Sequence, residues 1–272
     1  MSVKHFLIKA VSDVPFLRHC VIRAQNKLRL NGNTFDVSDI HFQKNLVEMQ
    51  ESEQSFSLES GSFMKKCIVR MSGKRNRVSI GYETIITDGK GQTFFICGND
   101  NRIVIGGHCR LDMTSFFIRG HGNTIMVGDD CSAVFAELHL EGDGNTIQIG
   151  NGTTMHGRGS HSIHIAADEG SGVYIDEDCM LAHSVQMRST DSHSIVDLNG
   201  KRLNPARDIR IGRHCWLGMQ SIILKGCVLE PNTVVAAGSV CGGHMERISN
   251  CILAGNPAKV VKRDVNWDRK FV

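Results

Sequence analysis

The sequence predicts an all-β solenoid, in which short strands stack coil upon coil around a narrow apolar interior. Three observations predict this fold. First, five consecutive six-residue blocks run from Ile211 to Val240 without an insertion or deletion. Second, each block begins with an aliphatic residue and has Ser, Thr or Cys at its fifth position. Third, the chain has 28 Gly but only 12 Phe, 2 Trp and 2 Tyr. This composition suits a narrow interior that is closed by many turns.

Residues 1–60 lack the six-residue pattern and are predicted to form a helical and irregular cap that packs on the first coil. Asp13 and Pro15 mark the start of a helix, and apolar residues at helical spacing extend it towards Leu28. The apolar run over residues 6–11 is interrupted by Lys9 and is too short to cross a bilayer. We therefore expect no membrane span and assign no chemistry to this segment.

The predicted coil occupies residues 61–254, and its first part carries a longer form of the repeat. Residues 76–81 are echoed at 101–106, 123–128 and 145–150, at spacings of 25, 22 and 22 residues. A plain coil of three six-residue blocks would need only 18 residues. Each coil of 22 residues therefore carries about four extra residues in a turn, where Gly and Asn supply the positive φ that turns need.

The six-residue phase is lost over residues 189–206, which are predicted to leave the coil as a loop. The spacing between repeats rises there to 36 residues, from Ser171 to Arg207. Long loops on a rigid repeat are where solenoids usually carry function. Beyond the coil, residues 255–272 are predicted to form a short C-terminal tail.

Ten cysteines are present, and several occupy the small fifth position of a block. They are expected to be small buried residues, because no Cys-x-x-Cys spacing and no secretory signal accompany them. A reducing cytoplasm is the expected location. The net charge of +3, without a basic stripe bearing aromatic residues, argues against nucleic acid as a partner. The cysteines at block corners are Cys109, Cys131, Cys179, Cys215 and Cys227.

The order of motifs in the C-terminal part resembles the hexapeptide-repeat acyltransferases. An isolated His in the loop is followed by residues 211–218, by Ala-Ala-Gly-Ser-Val at 236–240 and by Ala-Gly-Asn-Pro-Ala-Lys at 254–259. The resemblance implies a left-handed parallel β-helix, acetyl-CoA as donor, and a homotrimer with active sites between subunits. Within the family, the sugar and polysaccharide O-acetyltransferases are the most similar. The implied acceptor is a hydroxyl of a sugar or of a surface polysaccharide, such as a capsule, a lipopolysaccharide or a precursor.

The resemblance also implies roles for individual residues. His193 matches the general base, which must take the proton of the acceptor hydroxyl as that hydroxyl attacks the thioester. Trp216 matches the aromatic residue beside the acceptor and the thioester, although an anchor at a trimer interface would explain it nearly as well. Asp191 or Asp197 could orient the His193 ring.

The donor is expected along the C-terminal coils, and no metal is expected. The sequence departs from the family's pattern at residues 241–244, where one contact to CoA would lie. The residues expected to bind CoA are Gly218, Met219, Ala237, Gly238, Lys259 and Lys262. Those expected to bind the acceptor are Arg188, Arg202 and Asn204.

Other functions remain open on the sequence. The family also includes amino-sugar N-acetyltransferases and serine acetyltransferases. A γ-class carbonic anhydrase would bind zinc through three histidines, and His121, His156 and His161 have a spacing reminiscent of that set. A non-catalytic scaffold would explain the repeats but not the position of His193 in its loop.

Overall fold

The computed structural model describes residues 15–38, 41–88, 92–159 and 162–270. Its architecture is a β-solenoid of three parallel sheets, named A, B and C, and the chain visits them in that order in each coil. The topology matches the left-handed parallel β-helix that the sequence predicted.

Every strand of sheets A and B runs parallel to its neighbours, and sheet C ends in an antiparallel hairpin. Sheet A contains Lys27–Arg29, Leu46–Met49, Ile68–Ser72, Phe94–Cys97, Ser115–Arg119, Ala136–Glu141, Ile163–Asp168, Gln186–Arg188, Ile222–Leu224 and Val240–Cys241. Sheet B contains Thr34–Val37, Ser55–Leu58, Arg77–Ile80, Arg102–Ile105, Thr124–Val127, Thr146–Ile149, Gly172–Ile175, Ile209–Ile211 and Val228–Leu229. Sheet C contains Phe42–Gln43, Phe63–Lys65, Ile85–Thr87, Arg110–Asp112, Ser132–Val134, Thr154–His156, Met180–Leu181, Trp216–Leu217, Val234–Val235, Cys251–Gly255 and Ala258–Arg263.

The six-residue phase predicted for the C-terminal coils is confirmed by burial. The first residue of each block points into the interior, because side chains alternate between the two faces of a strand. None of these five residues is more than 2% exposed. The small fifth residues are also buried where the chain turns between sheets. The buried set is Ile211, Leu217, Ile223, Leu229 and Val235, with Cys215, Ser221, Cys227, Thr233 and Ser239 at the corners.

The coil begins earlier than the predicted boundary at residue 61. Strands from Lys27 onwards already pair in the three sheets, so the part of the cap that the structure describes is the helix Pro15–Gln25. Ile22 of that helix is buried in the core. The first coils were missed because bulky residues, Phe42 and Phe56, fill interior positions that the six-residue pattern reserves for aliphatics. The predicted helix start at Asp13 lies outside the described residues, and Leu28 belongs to a strand.

A ladder of buried asparagines runs along one corner of the longer coils. Asn101 Nδ2 donates to Asn76 Oδ1 at 3.0 Å, and Asn123 and Asn145 continue the series at 3.1 and 2.9 Å. Each amide also satisfies the backbone of the extra turn, as in the 2.9 Å bond from Asn123 Nδ2 to the Gly142 carbonyl. The repeated Asn found in the sequence is therefore a buried hydrogen-bonding residue as well as part of a turn.

The corner cysteines behave as the sequence predicted. All ten cysteines of the chain lie within the described residues, and all are free thiols. Burial raises the pKa of the Cys241 thiol to about 12 and also raises that of Cys227. Such thiols stay protonated near neutral pH and are poor nucleophiles.

The predicted C-terminal tail is ordered against the coil. Ala258–Arg263 pairs antiparallel with Cys251–Gly255, and the chain then folds back across earlier turns. The Trp267 ring stacks on His214 at 4.3 Å, and its Nε1 donates to the His214 carbonyl. Arg269 binds Asp178 and the carbonyls of Gly152 and Cys179. In the described part of the chain, no helix is long and apolar enough to cross a membrane.

Candidate active site

The loop that carries His193 leaves the coil between Gln186–Arg188 of sheet A and Ile209–Ile211 of sheet B. Its base is closed by a 3.0 Å bond from the Arg207 amide to the Ser189 carbonyl, and Ser189 is buried. Within the loop, Val196 and Arg202 form an antiparallel bridge. The loop therefore has a folded structure of its own and is fixed where it leaves the coil.

Asn204 holds the loop around His193. Its side chain is 7% exposed, and its Nδ2 donates to Asp191 Oδ2 at 2.7 Å and to the His193 carbonyl at 2.8 Å. Its Oδ1 accepts a 2.6 Å bond from the Ile195 amide. Both amide protons and the carbonyl oxygen are thus engaged. We expected Asn204 to bind the acceptor, but the structure uses it to fix the backbone on either side of His193.

Asp191 anchors the loop to the next coil. Its Oδ2 accepts a 2.5 Å bond from Lys225 Nζ, and the Lys225 side chain is only 13% exposed. The Lys225 ammonium, followed by the Asn204 amide, holds the pKa of the Asp191 carboxyl below its ordinary value. We expected Asp191 to orient the His193 imidazole, but its carboxylate is occupied by the half-buried Lys225. Asp197, the other candidate, accepts the amides of Asn199 and Lys201 at the loop tip.

Sequence reasoning missed Lys225, because it occupies an outward position of a regular block and resembled a solvated surface residue. The role of Lys225 is visible only in the structure, from the groups that its ammonium contacts. Nζ also donates to the Asn204 carbonyl at 3.1 Å, so a single ammonium group joins the two ends of the loop to the coil.

His193 itself is exposed, and its backbone amide donates to the Asp191 carbonyl at 2.7 Å. Arg188, at the entry to the loop, donates to Ser192 Oγ at 3.0 Å. The fixed backbone thus presents the His193 imidazole to solvent, where an incoming hydroxyl could reach it.

Arg202 was expected to bind the acceptor but is paired within the protein. Its guanidinium lies 2.5 Å from Glu169 Oε1 and donates to the Asn204 carbonyl at 3.3 Å. The same guanidinium holds the pKa of Glu169 below its ordinary value. Arg202 therefore ties the loop to the turn at Glu169, which sequence reasoning did not single out.

A shallow polar groove of about 130 Å³ opens beside the loop on the outer face of sheet A. Thr190, Ser192 and Arg188 form the loop side of it, and His139 and His164 lie on the sheet side. Of the residues expected to meet the acceptor, Arg188 is the one that lines this groove. An acceptor lying in the groove would have the backbone next to His193 at one end.

The residues expected to bind CoA gather on sheet C and its corners. Trp216 is 38% exposed, and its ring lies 6.0 Å from that of Trp267. Met219 and Ala237 are exposed on successive coils, where the Gly238 amide donates to the Met219 carbonyl at 2.9 Å. The loop emerges from the corner between sheets A and B, so one chain places His193 and Trp216 on different parts of the coil surface.

The two glycines of this group differ. A Cβ on Gly218 would lie 2.7 Å from the Ala237 amide nitrogen and from the Val235 carbonyl oxygen, and Gly218 is buried. We expected Gly218 to contact CoA, but its lack of a side chain instead allows successive coils to approach closely. Gly238 has φ +69°, is exposed and has open space where a side chain would project. A ligand can therefore approach the backbone at Gly238.

Lys259 and Lys262 are exposed on the strand Ala258–Arg263. The hairpin is tied to the coil by a 3.1 Å bond from the Gly255 amide to Ser239 Oγ. Both ammonium groups therefore lie on an extension of sheet C, the sheet that also carries Trp216.

Of the histidines considered for zinc, the two that the structure describes, His121 and His156, lie at different places. His121 accepts the Asn99 amide at a turn after sheet A, and His156 lies in a sheet C strand beside Ser132. His161 lies outside the described residues. A different group was missed by the sequence: Glu137, His139 and His164 have donor atoms within 4.8 Å of one another on sheet A.

Comparison with known proteins agrees with this architecture. Residues 208–243 match the profile of the family described as bacterial transferase hexapeptide (six repeats). A polysialic acid O-acetyltransferase of Neisseria meningitidis is 37% identical over 120 residues, which are 44% of this chain and 53% of that protein. A polysialic acid O-acetyltransferase of Escherichia coli O1:K1 is 37% identical over 98 residues, which are 36% of this chain and 31% of that protein. The matches thus span about half and about a third of the lengths of these relatives.

The likeness in structure covers much more of the chain. The crystal structure of the polySia-specific acetyltransferase NeuO superposes with a TM-score of 0.56 at 25% identity, over 87% of this chain and 90% of that one. The matched repeat and the shared coil show that the chain contains hexapeptide repeats and folds as a left-handed parallel β-helix.

Proposed function

We propose that the protein is an O-acetyltransferase that moves the acetyl group of acetyl-CoA to a hydroxyl of a sugar in a surface polysaccharide. The observation that carries the proposal is the exposed imidazole of His193, set beside a polar groove on a loop that Asn204 and Lys225 fix. The relatives that modify polysialic acid support a polysaccharide as the acceptor class.

In the proposed reaction, the acceptor hydroxyl attacks the thioester carbonyl while His193 takes the hydroxyl proton. The new C–O bond forms a tetrahedral oxyanion, which backbone N–H groups of the coil would stabilise. The C–S bond then breaks, the acetyl ester is released, and the imidazolium returns the proton to the CoA sulfur. Transfer is direct in this mechanism, because the corner cysteines are buried and their thiols cannot reach a bound thioester to serve as acyl carriers.

The donor would lie along sheet C. The open backbone at Gly238 suits the pantetheine arm, with exposed Met219 and Ala237 beside it. Lys259 and Lys262 would meet the phosphates, where a point charge is sufficient. Arg188 would contact the acceptor in the groove.

We further propose a homotrimer with the complete site between neighbouring copies. His193 leaves the corner between sheets A and B, whereas Trp216 and Lys259 lie on sheet C and its hairpin. A site that uses both groups is completed when the loop of one copy meets sheet C of the next. The free, buried cysteines suit a reducing cytoplasm.

His193→Ala tests the base. With saturating acetyl-CoA and polysialic acid as the first acceptor of a glycan panel, kcat should fall by roughly a hundredfold to ten-thousandfold. The melting temperature should stay close to that of the parent protein, because the ring is exposed. The matched control is His108→Ala, which removes another exposed imidazole that pairs with Glu83. Near-parental turnover in a folded His193→Ala protein would refute this mechanism.

Lys259→Ala tests the donor site. The Michaelis constant for acetyl-CoA should rise by an amount equivalent to about 1–2 kcal/mol, since one charged hydrogen bond to a phosphate is lost. The acceptor constant should change little. Lys74→Ala, which removes an exposed lysine on an N-terminal coil, should leave both constants unchanged. An unaltered acetyl-CoA constant in Lys259→Ala would exclude Lys259 from the site.

A further inference from the structure

Two strands of sheet A bring three metal-ligating side chains together, and two of them, His139 and His164, line the groove. Glu137 and His139 lie on the strand Ala136–Glu141, and His164 lies on the next strand, Ile163–Asp168. Residues two apart on a strand point to the same face, and His164 is the cross-strand partner of Glu137. The donor atoms of all three lie within 4.8 Å of one another.

We propose that Glu137, His139 and His164 bind a divalent transition-metal ion of the zinc type. Two imidazoles and one carboxylate are the ligand set that zinc uses where a fourth position is left to water or to a substrate. This site differs from the three histidines considered on the sequence, and it departs from the expectation that no metal is bound. Its test does not depend on the proposed acetyl transfer.

The surroundings of His139 fit a ligand whose ring is held in place. Its Nδ1 faces Glu137 Oε1 at 3.6 Å, and its Nε2 lies 3.4 Å from Glu141 Oε2. Metal-bound histidines commonly donate their other ring N–H to a carboxylate, which fixes the tautomer and makes the ligand more basic. Glu141 can play that part here while Nδ1 binds the ion.

Further contacts fix this outer carboxylate and the ring. Arg119 donates to the other oxygen of Glu141, Oε1, at 3.1 Å. The ring of Phe117 stacks on His139 at 4.3 Å, with 30° between the planes. Both residues lie on the neighbouring strand, Ser115–Arg119. The His139 ring is thus held by Phe117 on its face and by Glu141 at Nε2 before any ion arrives.

Charge and access also suit a cation. Two further acidic residues lie on these strands. Glu141 follows Glu137 on the same strand, and Asp168 is the cross-strand partner of Glu141. Arg188 is the positively charged residue that lines the groove, and its guanidinium donates a hydrogen bond to Ser192 Oγ. The groove gives the fourth coordination position access to water.

The experiment is a titration of the chelator-treated, full-length protein with Zn²⁺ by calorimetry, and with Co²⁺ by absorption spectroscopy. We expect one ion per chain and the visible bands of tetrahedral Co²⁺, without the sulfur-to-cobalt absorption that cysteine ligands would give. Glu141→Gln should weaken binding by roughly tenfold to a hundredfold, the usual effect of losing an outer carboxylate. His164→Ala and Glu137→Gln should weaken it by more.

The matched control is His108→Ala, which removes a histidine that also pairs with a glutamate but lies away from sheet A. Its affinity for Zn²⁺ should equal that of the parent protein. Circular dichroism of each variant checks that the coil is intact, and Glu137→Gln keeps the shape of the side chain if His164→Ala fails to fold. Absence of binding, binding unchanged in both ligand variants, or sulfur-to-cobalt absorption would overturn the proposal.

Discussion

The wide coils of residues 102–145 and the narrow coils of residues 209–241 stack in the same three sheets, but their interiors differ in width. Arg102 pairs with Thr124 one coil later, a step of 22 residues, whereas Arg210 pairs with Val228, a step of 18. The wide coil places two buried residues on its sheet A strand, Phe116 and Ile118. The matching strand of a narrow coil buries only one, Ile223.

This difference in width explains where the bulky residues lie. Among the described residues, the fully buried phenylalanines are Phe42, Phe56, Phe94 and Phe116, and all belong to coils that precede the narrow ones. The buried side chains of residues 209–241 are aliphatic or small. A six-residue repeat is therefore strict only where the interior is narrow, and a wider coil tolerates large side chains if its longer turn finds hydrogen-bond partners.

The largest effect that would test this comparison is expected from Phe116→Ala. Phe116 is 1% exposed and stacks on Phe94 at 5.0 Å, so the substitution leaves a cavity in the wide interior. The free energy of unfolding should fall by about 3–5 kcal/mol. Urea denaturation measures it. Phe117→Ala, which truncates the outward neighbour, is the control, and an equal loss in the two variants would contradict the account of a wide packed core.

A smaller effect is expected from Asn123→Ala, which interrupts the asparagine ladder. The Gly142 carbonyl and the Asn145 amide nitrogen both lose their bonds to this side chain. Leaving such buried groups unpaired should cost about 1–3 kcal/mol of unfolding free energy. Asn199→Ala, at the exposed tip of the His193 loop, provides the comparison. If both variants melt at the parental temperature, the ladder does not support the wide turn.

The smallest effect is expected from Cys215→Ser at a narrow corner. Ser already occupies equivalent corners at Ser221 and Ser239, and a hydroxyl can replace the Cys215 thiol as donor to the Glu230 carbonyl. Unfolding free energy should change by less than about 1 kcal/mol. Cys215→Leu should lose about 1–3 kcal/mol through overpacking. A Cys215→Ser protein that unfolds or loses assembly under reducing conditions would show that the thiol has another role.

Sequence reasoning succeeded where spacing alone determines position. In the narrow coils every block contributes one aliphatic residue and one small residue, so the phase locates the interior from Ile211 to Val235. In the first coils, Phe42 and Phe56 occupy interior positions and the turns vary in length. Because the turn lengths vary, the sequence of the first coils has no fixed period. The predicted start of the solenoid at residue 61 was therefore too late.

The candidate site was predictable only in part, for a related reason. An isolated histidine in a long loop stands out in a sequence, and His193 is indeed exposed on a fixed loop. The partners of loop residues come from other coils, as Lys225 does for Asp191 and Glu169 for Arg202. Polar residues of a loop look alike in sequence, whether they bind a ligand or the protein itself. The side chains of Glu137 and His164 likewise lie close together only because successive coils stack.

The fold-back of residues 267–269 changes how the coil can open. In a solenoid each coil contacts only its neighbours, so rungs can unzip one at a time. Arg269 instead reaches Thr154, 115 residues earlier, as well as the Cys179 carbonyl, while Trp267 covers His214. Three successive rungs are thereby joined into one cooperative unit for local opening and hydrogen exchange. Because contacts between residues so distant in sequence form slowly, we expect the contacts of residues 267–269 to form only after the individual rungs have stacked.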